Sequence, residues 1–274
     1  MKTAVVISTY NNSEPLRKTL LGFLTQTYKD FNILVADDGS GDCVRDVLAA
    51  PVFDPLRILH VWHEDRGFRL SAIRNRAIAE STADYLIFCD ADCIPRDDYV
   101  ESHTRHAQPN YFIAGARINV PAAVHQSFSD VDILSQRAFD VDFLAAKCSA
   151  LTRYRGRLLR SSRWENCLNL LTFRYCVFSG SNSSAWRRDL LAVNGFDESF
   201  TGYGSEDRDI GIRLHNNGVR SRYLKFSLVQ MHLDHPQSYL DPAIAADNRR
   251  RFRSRKTDRT TRIDLGVDTV TARA

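Results

Sequence analysis

The chain has 274 residues, 43% of them hydrophobic, and a formal net charge of +4. That apolar content supports a sizeable core and excludes a disordered chain, and the mild charge gives no reason to expect nucleic acid as a partner. No stretch reaches the ~18 apolar residues of a membrane span, so any membrane contact would be peripheral.

Residues 3 to 9, TAVVIST, are β-branched and read as a buried strand. The polar turn Tyr10-Asn11-Asn12-Ser13 leads to a helix with Leu16, Leu20, Phe23 and Leu24 on its apolar face and Ser13 as its N-cap. Residues 31 to 36, FNILVA, are a second strand ending in Asp37-Asp38-Gly39-Ser40, and a helix from about Asp42 to Ala49 follows. A third strand, RILHVW at 57 to 62, runs through the polar loop His63 to Arg69 into a helix from about Leu70 to Ala79. Tyr85 to Cys89 form a fourth strand, apolar throughout and so buried on both faces. Strand and helix alternate, which implies an α/β fold: a Rossmann-like, mostly parallel central sheet with helices on both faces. Ligands of such sheets bind beyond the carboxyl ends of the strands, where Thr9, Asp38, Asp90 and Asp92 all lie. There is no GxGxxG, so a dinucleotide fingerprint is absent, which leaves room for a mononucleotide half-site.

The second half is less regular. A helix is expected over 97 to 106, a strand over 111 to 120 interrupted by Gly115, and a helix over 127 to 146. Residues 147 to 175 are mixed and Arg-rich. A strand at 176 to 179, a short helix from Arg187 to Val193, a helix opening at Ser205 and a strand over 222 to 231 complete the pattern. These elements make one domain, 1 to 246, in two halves, a regular one (1 to 120) and a less regular one (121 to 246). From 247 to 274 the chain carries RRRFRSRK and loses periodicity, which reads as a disordered basic tail suited to an anionic membrane surface. Six scattered cysteines without paired spacing imply a reducing compartment. The start, MKTAVVISTY, is too short for a secretory signal, so the expected location is cytoplasmic, peripheral at the inner face of a membrane.

Four groups of residues carry chemistry. Residues i and i+2 of a strand share a side, so Asp90 and Asp92 could aim two carboxylates at one divalent cation, with His232 at another strand end. Oxygen-rich ligation with one nitrogen favours Mn²⁺ or Mg²⁺ over zinc. His235 competes with His232, and Asp92 ahead of Ile94-Pro95 also suits a helix N-cap. Asp38 could accept a hydrogen bond from a base or ribose, although Asp-Gly is equally a turn. Among Arg66, Arg69 and Arg74, the last sits on the helix before the aspartate strand, placed for a diphosphate or for bracing the acids. Glu206 and Asp207 open a helix after Gly202-Tyr203-Gly204-Ser205, as a general base or as simple capping.

Together, AVVISTYNN, VADDGS, EDRGFRLSAIRNRAI and FCDADCIP resemble the N-terminal half of family 2 nucleotide-sugar glycosyltransferases with the GT-A fold. NGFDESFTGYGSEDRDIGIRL is similar to a segment shared with family 7 galactosyltransferases and chondroitin-polymerase-type enzymes. The resemblance covers roughly residues 2 to 120 and 176 to 235. It implies that Thr9, Asp38 and Asp37 hold ribose and uracil, that Arg74 supports the diphosphate, and that Asp90 lies near the ribose or donor sugar. It further implies Asp92 and His232 as ligands of Mn²⁺ or Mg²⁺ and Asp207 as base, with Glu206, Tyr203 and Gly204 at the acceptor or donor sugar. The family's frequent Gly-Trp-Gly is Gly202-Tyr203-Gly204 here, and its Trp in the histidine pattern is Asp234, which keeps His235 in contention. The implied activity is inverting, metal-dependent transfer from a UDP-sugar to a hydroxyl of a saccharide or lipid-linked acceptor, in surface polysaccharide or lipopolysaccharide biosynthesis. A nucleotidylyltransferase would want a glycine-rich basic loop after the first strand, which STYNNSEP lacks. A non-catalytic binding module would lack the base or the metal acids, and Asp207 and Asp92 are present.

Overall fold

The computed structural model describes residues 1–159, 162–170, 177–236 and 241–271. Strands β1 (Thr3–Thr9), β2 (Phe31–Asp37), β3 (Ile58–Trp62) and β4 (Tyr85–Asp90) run parallel, joined by helices Ser13–Leu24, Asp42–Leu48 and Leu70–Glu80. Along β1 and β4 successive side chains enter opposite cores. Val5, Ile7, Tyr85 and Ile87 join one, while Ala4, Val6, Leu86 and Phe88 join the other. Burial on both faces is why these strands are apolar throughout.

The remaining strands are β5 (Cys93–Pro95), β6 (Tyr111–Ala114), β7 (Ala116–Val120), β8 (Asn182–Trp186), β9 (Arg220–Tyr223) and β10 (Val229–Leu233). The main sheet has the order β3-β2-β1-β4-β8-β6-β9, and a small second sheet has the order β5-β10-β7. Only β8 runs antiparallel to its neighbours in the main sheet. The order reverses at β1, which pairs with β2 on one side and with β4 on the other, Ser8 opposite Asp90. A crevice opens at such a switch point.

Several expected elements are divided. The strand over 111 to 120 is two strands in two sheets, parted at Gly115, where a Cβ would lie 2.4 Å from Leu228 Cβ. The strand over 222 to 231 likewise becomes β9 and β10. The helix over 127 to 146 breaks into short turns, with Gln136 left-handed at φ 61° and Asp140 capping a new helix through Phe143 N. Cys176 lies outside the described residues, and 177 to 179 form no strand. The strand beside β4 is the polar NSSAW of β8 instead. Its Ser184 Oγ meets Tyr85 OH at 2.8 Å and His103 Nδ1 at 2.7 Å, so a polar strand is satisfied in the core.

Over residues 247 to 271 the basic tail is not disordered. Pro242–Thr257 is a helix capped by Asp241, and Val267–Thr271 is another. Asn248 donates to Thr201 O, Arg255 reaches Asp197 at 2.7 Å, and Val267 enters a core. Anchoring groups offset the local charge, a tertiary effect that composition does not register. Among the described residues no helix is long and apolar enough to cross a membrane, and the five cysteines are unpaired.

Candidate active site

Two adjoining clefts open beyond β1 and β4. The first, about 440 Å³, is lined by Thr9, Asp38, Asp90, Asp92, Tyr203 and His235, with Tyr10 and Phe68 on its flank. Asp38 accepts from His63 Nε2 at 2.6 Å and from Arg69 N at 2.8 Å, so its carboxylate is held at the cleft wall. Thr9 Oγ1 is buried without a hydrogen-bond partner among the described residues. Such a group calls for a ligand or water. Asp37 does not fit the role expected of it. It is fully buried, accepts from Ser40 N at 2.8 Å and from His60 at 2.9 Å, and shapes the loop rather than lining the cleft. Burial pushes its carboxyl up, but the His60 and Ser40 hydrogen bonds outweigh this and the net shift is downward. Arg66 is exposed and pairs with Glu64.

The second cleft, about 650 Å³, shares Leu70, Asp90 and Tyr203 with the first and adds Arg74, Glu206 and Asp207. Both volumes are typical of small-molecule sites, roughly 300–1,000 Å³. A larger groove of about 950 Å³ lies along Leu134, Gln136 and Phe139 and holds none of these residues.

Arg74 is the hub. It donates to Ser8 Oγ and to Asp90, each at 3.0 Å, lies 3.6 Å from Glu206, and rests over the Phe196 ring. The next residue, Asn75, exchanges two hydrogen bonds with the backbone of Phe196 and so fixes the loop before Glu206. Arg213, buried and paired with Asp209 at 2.6 Å, ties helix Glu206–Asn216 to the carbonyls of Val193 and Gly195. The chain enters that helix through left-handed backbone at Gly204 (φ 114°) and Ser205 (φ 76°). Glycine tolerates this where other residues are strained.

One arginine serves three acids, and their proton affinities show it. Burial raises Asp90 to about 6, against the pull of Arg74. Burial, and then the charge of Asp207, raise Glu206 to about 7. Burial also raises Asp207, although Arg74 and the Gly180 and Arg208 amides oppose it. Asp207 is the more open of the neighbouring pair, while Glu206 is buried, accepting from Gly204 N at 3.1 Å.

Asp90 and Asp92 do not converge as strand alternation suggests. β4 ends at Asp90, and Asp92 lies in the turn that follows. Asp90 turns to Arg74, while Asp92 turns to two histidines, His235 at 2.9 Å and His232 at 3.5 Å. The register of β10 on β5 sets His232 opposite Cys93, beside Asp92. His232 and His235, read from sequence as competitors, stand together, and all three ligating atoms lie within 4.8 Å of one another. His232 Nδ1 is buried without a hydrogen-bond partner among the described residues. Burial lowers His232, while its hydrogen bond to Asp92 raises His235 to about 9. A convergent carboxylate and two imidazoles fit a divalent cation of the Mn²⁺ type.

Sequence reasoning missed Ser8, His63 and Asn75, and Arg117, which lines the second cleft. Asn75, one residue past Arg74, was the most findable.

Known proteins share this pattern. The description "Glycosyl transferase family 2" matches residues 4–153, and "N-terminal domain of galactosyltransferase" matches 169–236. The validoxylamine A glucosyltransferase of Streptomyces hygroscopicus subsp. jinggangensis is 31% identical, covering 79% of this chain and 52% of that protein. The chondroitin synthase of Escherichia coli is 28% identical over 80% of this chain and 33% of that one. The chain thus spans about half or less of these relatives' length. Among solved structures, S. aureus TarS 1–349 in complex with UDP-GlcNAc has a TM-score of 0.61 at 14% identity, covering 94% of this chain and 69% of that one. The mannosyltransferase PcManGT from Pyrobaculum calidifontis, in complex with GDP-Man and Mn²⁺, has a TM-score of 0.57 at 16% identity, covering 87% and 58%. The family 2 match takes in more than half of the residues, and the chain belongs to glycosyl transferase family 2, a glycosyltransferase with the GT-A fold.

Proposed function

We propose that the chain moves a sugar from a UDP-sugar to a hydroxyl of a saccharide or lipid-linked acceptor, inverting the anomeric centre with the help of Mn²⁺. The observation that carries the reading is the junction of two clefts at Asp90 and Tyr203, with Thr9, Asp38 and Asp92 on one side and Asp207 on the other. A donor in the first cleft and an acceptor in the second would place a base opposite the leaving group, as in-line displacement needs.

Thr9 and Asp38 hold the nucleoside. Asp92, His232 and His235 would hold the cation, a donor set that suits Mn²⁺ better than Mg²⁺, which prefers oxygen. When bound, the cation offsets charge on the departing diphosphate. Arg74 keeps Asp90 and Glu206 at the reacting sugar. Asp207 accepts the acceptor's proton, and its raised proton affinity brings it nearer the operating pH, where a general base works best. Tyr203 and Gly204 flank both sugars. The neighbours solved with UDP-GlcNAc and with GDP-Man and Mn²⁺ support a nucleotide-sugar donor, and the chondroitin synthase relative supports a role in polysaccharide assembly; surface polysaccharide or lipopolysaccharide at the inner face of a membrane is the setting proposed for it.

A screen of UDP-sugars for UDP release, with Asp207→Asn as control, tests the reading. Release that depends on Asp207 supports it. Binding of UDP with no release from any donor and acceptor would leave a binding module, and pyrophosphate release from UTP and a sugar phosphate would indicate a nucleotidylyltransferase.

A further inference from the structure

The second cleft separates its charges. Its floor holds Asp90, Glu206 and Asp207 around Arg74, and its rim carries Arg117, Arg157, Arg208 and Arg249. The four rim arginines come from four elements: β7, helix Arg155–Leu158, helix Glu206–Asn216 and helix Pro242–Thr257. No carboxylate of the described residues pairs with any of them, whereas Arg250 and Arg251, beside Arg249, both pair with Asp247, and Arg255 pairs with Asp197. Two of the four are nonetheless held in place. Arg157 donates to Arg117 O at 2.8 Å and stacks 5.0 Å from the Tyr154 ring centroid, and Arg208 lies 4.7 Å over Phe252. Aromatic faces and a carbonyl order these two guanidinium groups, and the only acids that Arg117 and Arg208 are seen to act on among the described residues are Asp90 and Asp207 of the floor, outside ion-pair distance. The cleft's five arginines outnumber its three acids, and an oxyanion with two acceptor atoms would offset the positive excess at the rim. Transfer to a neutral hydroxyl needs only the floor.

We infer that this cleft takes an acceptor bearing an oxyanion, a carboxylate or a phosphate, gripped by the rim arginines while its hydroxyl meets Asp207. The inference rests on the acceptor-side reading of the cleft given above, so its test measures binding rather than turnover. Isothermal titration on the full chain with UDP and Mn²⁺ would compare a methyl glucuronide with its methyl ester, and a hexose 1-phosphate with the free hexose. At least one anionic member should bind about tenfold tighter than its neutral partner, the gain of one or more charge-assisted hydrogen bonds. The pair that shows the preference identifies carboxylate or phosphate. Arg157→Gln with Arg249→Gln should abolish the preference and leave UDP affinity unchanged. Arg249→Gln alone, at an exposed position, should reduce it and serves if the double variant misfolds. The preference should survive Asp207→Asn, so failure of the transfer mechanism would show as turnover retained in Asp207→Asn, or as no UDP release by the native chain, with the preference intact. Equal affinities in both pairs, no binding by either anion, or a preference untouched by the arginine substitutions would overturn the inference.

Discussion

Glu206 and Asp207 are adjacent, yet their surroundings assign them different work. Asp207 is partly open to the second cleft and, among the described residues, takes backbone donors, from Gly180 and Arg208. Replacing it by Asn keeps its shape, so UDP affinity should persist while turnover falls by about 10²–10⁴-fold, the worth of a general base. Steady-state turnover beside a UDP titration checks this. Glu206 is buried, with its carboxyl raised from an ordinary 4.5 to about 7. A raised acid costs the folded state nothing below the unfolded value and its full penalty above the folded one. Glu206→Gln should therefore raise the melting temperature more at pH 8 than at pH 5; an equal gain at both would refute the strain. Asp92 joins both histidines, so Asp92→Ala should abolish Mn²⁺-dependent UDP binding in calorimetry. His232→Ala and His235→Ala should each weaken it, and full metal dependence in either would remove that histidine from the set.

Elements deliver these residues by register and close approach. β10 brings His232 to Asp92 because it pairs with β5, the three residues that follow Asp92. At Gly180 a Cβ would lie 2.4 Å from Arg74 Nη2, and Arg74 is fixed by Ser8, Asp90 and the Phe196 ring. Gly180→Ala should displace Arg74 and destabilise the fold by roughly 1–3 kcal/mol, the usual cost of overpacking. It should also lower turnover beyond what that loss of stability accounts for. Denaturant unfolding and turnover measured on the same variant separate the two effects. The first half was legible because its strands are apolar on both faces and its helices periodic. β8 was not legible, since Asn182, Ser183 and Ser184 are polar residues whose buried partners come from distant segments.

Across the whole molecule, the C-terminal helix walls the second cleft. Ala245 and Arg249 line it, Ile244 lies under Gly202, and Asn248 holds Thr201. Deleting residues 242–274 should lower the melting temperature, and it should impair transfer more than UDP binding, because the first cleft contains none of the deleted residues. The same deletion removes the six positive charges of residues 249–256. If that segment also meets an anionic membrane, salt-sensitive sedimentation with anionic liposomes should disappear with it. Thermal melts, UDP titration and sedimentation of one truncated protein check all three outcomes.

The sequence by itself determined the α/β alternation, the strand ends that carry Thr9, Asp38 and Asp90, and the acidic opening of the Glu206 helix. Those features are written in local periodicity and in motifs of neighbouring residues. The tertiary structure alone decided that Asp90 turns to Arg74 and Asp92 to two histidines, that Asp37 is spent inside its own loop, and that the basic tail is an ordered wall. Most of these partners lie outside the local motif, from 16 residues along the chain for Arg74 and Asp90 to 143 for Asp92 and His235. A carboxylate's role is set by whichever cation or donor lies within a few ångströms of it, and spacing along the chain does not encode that distance.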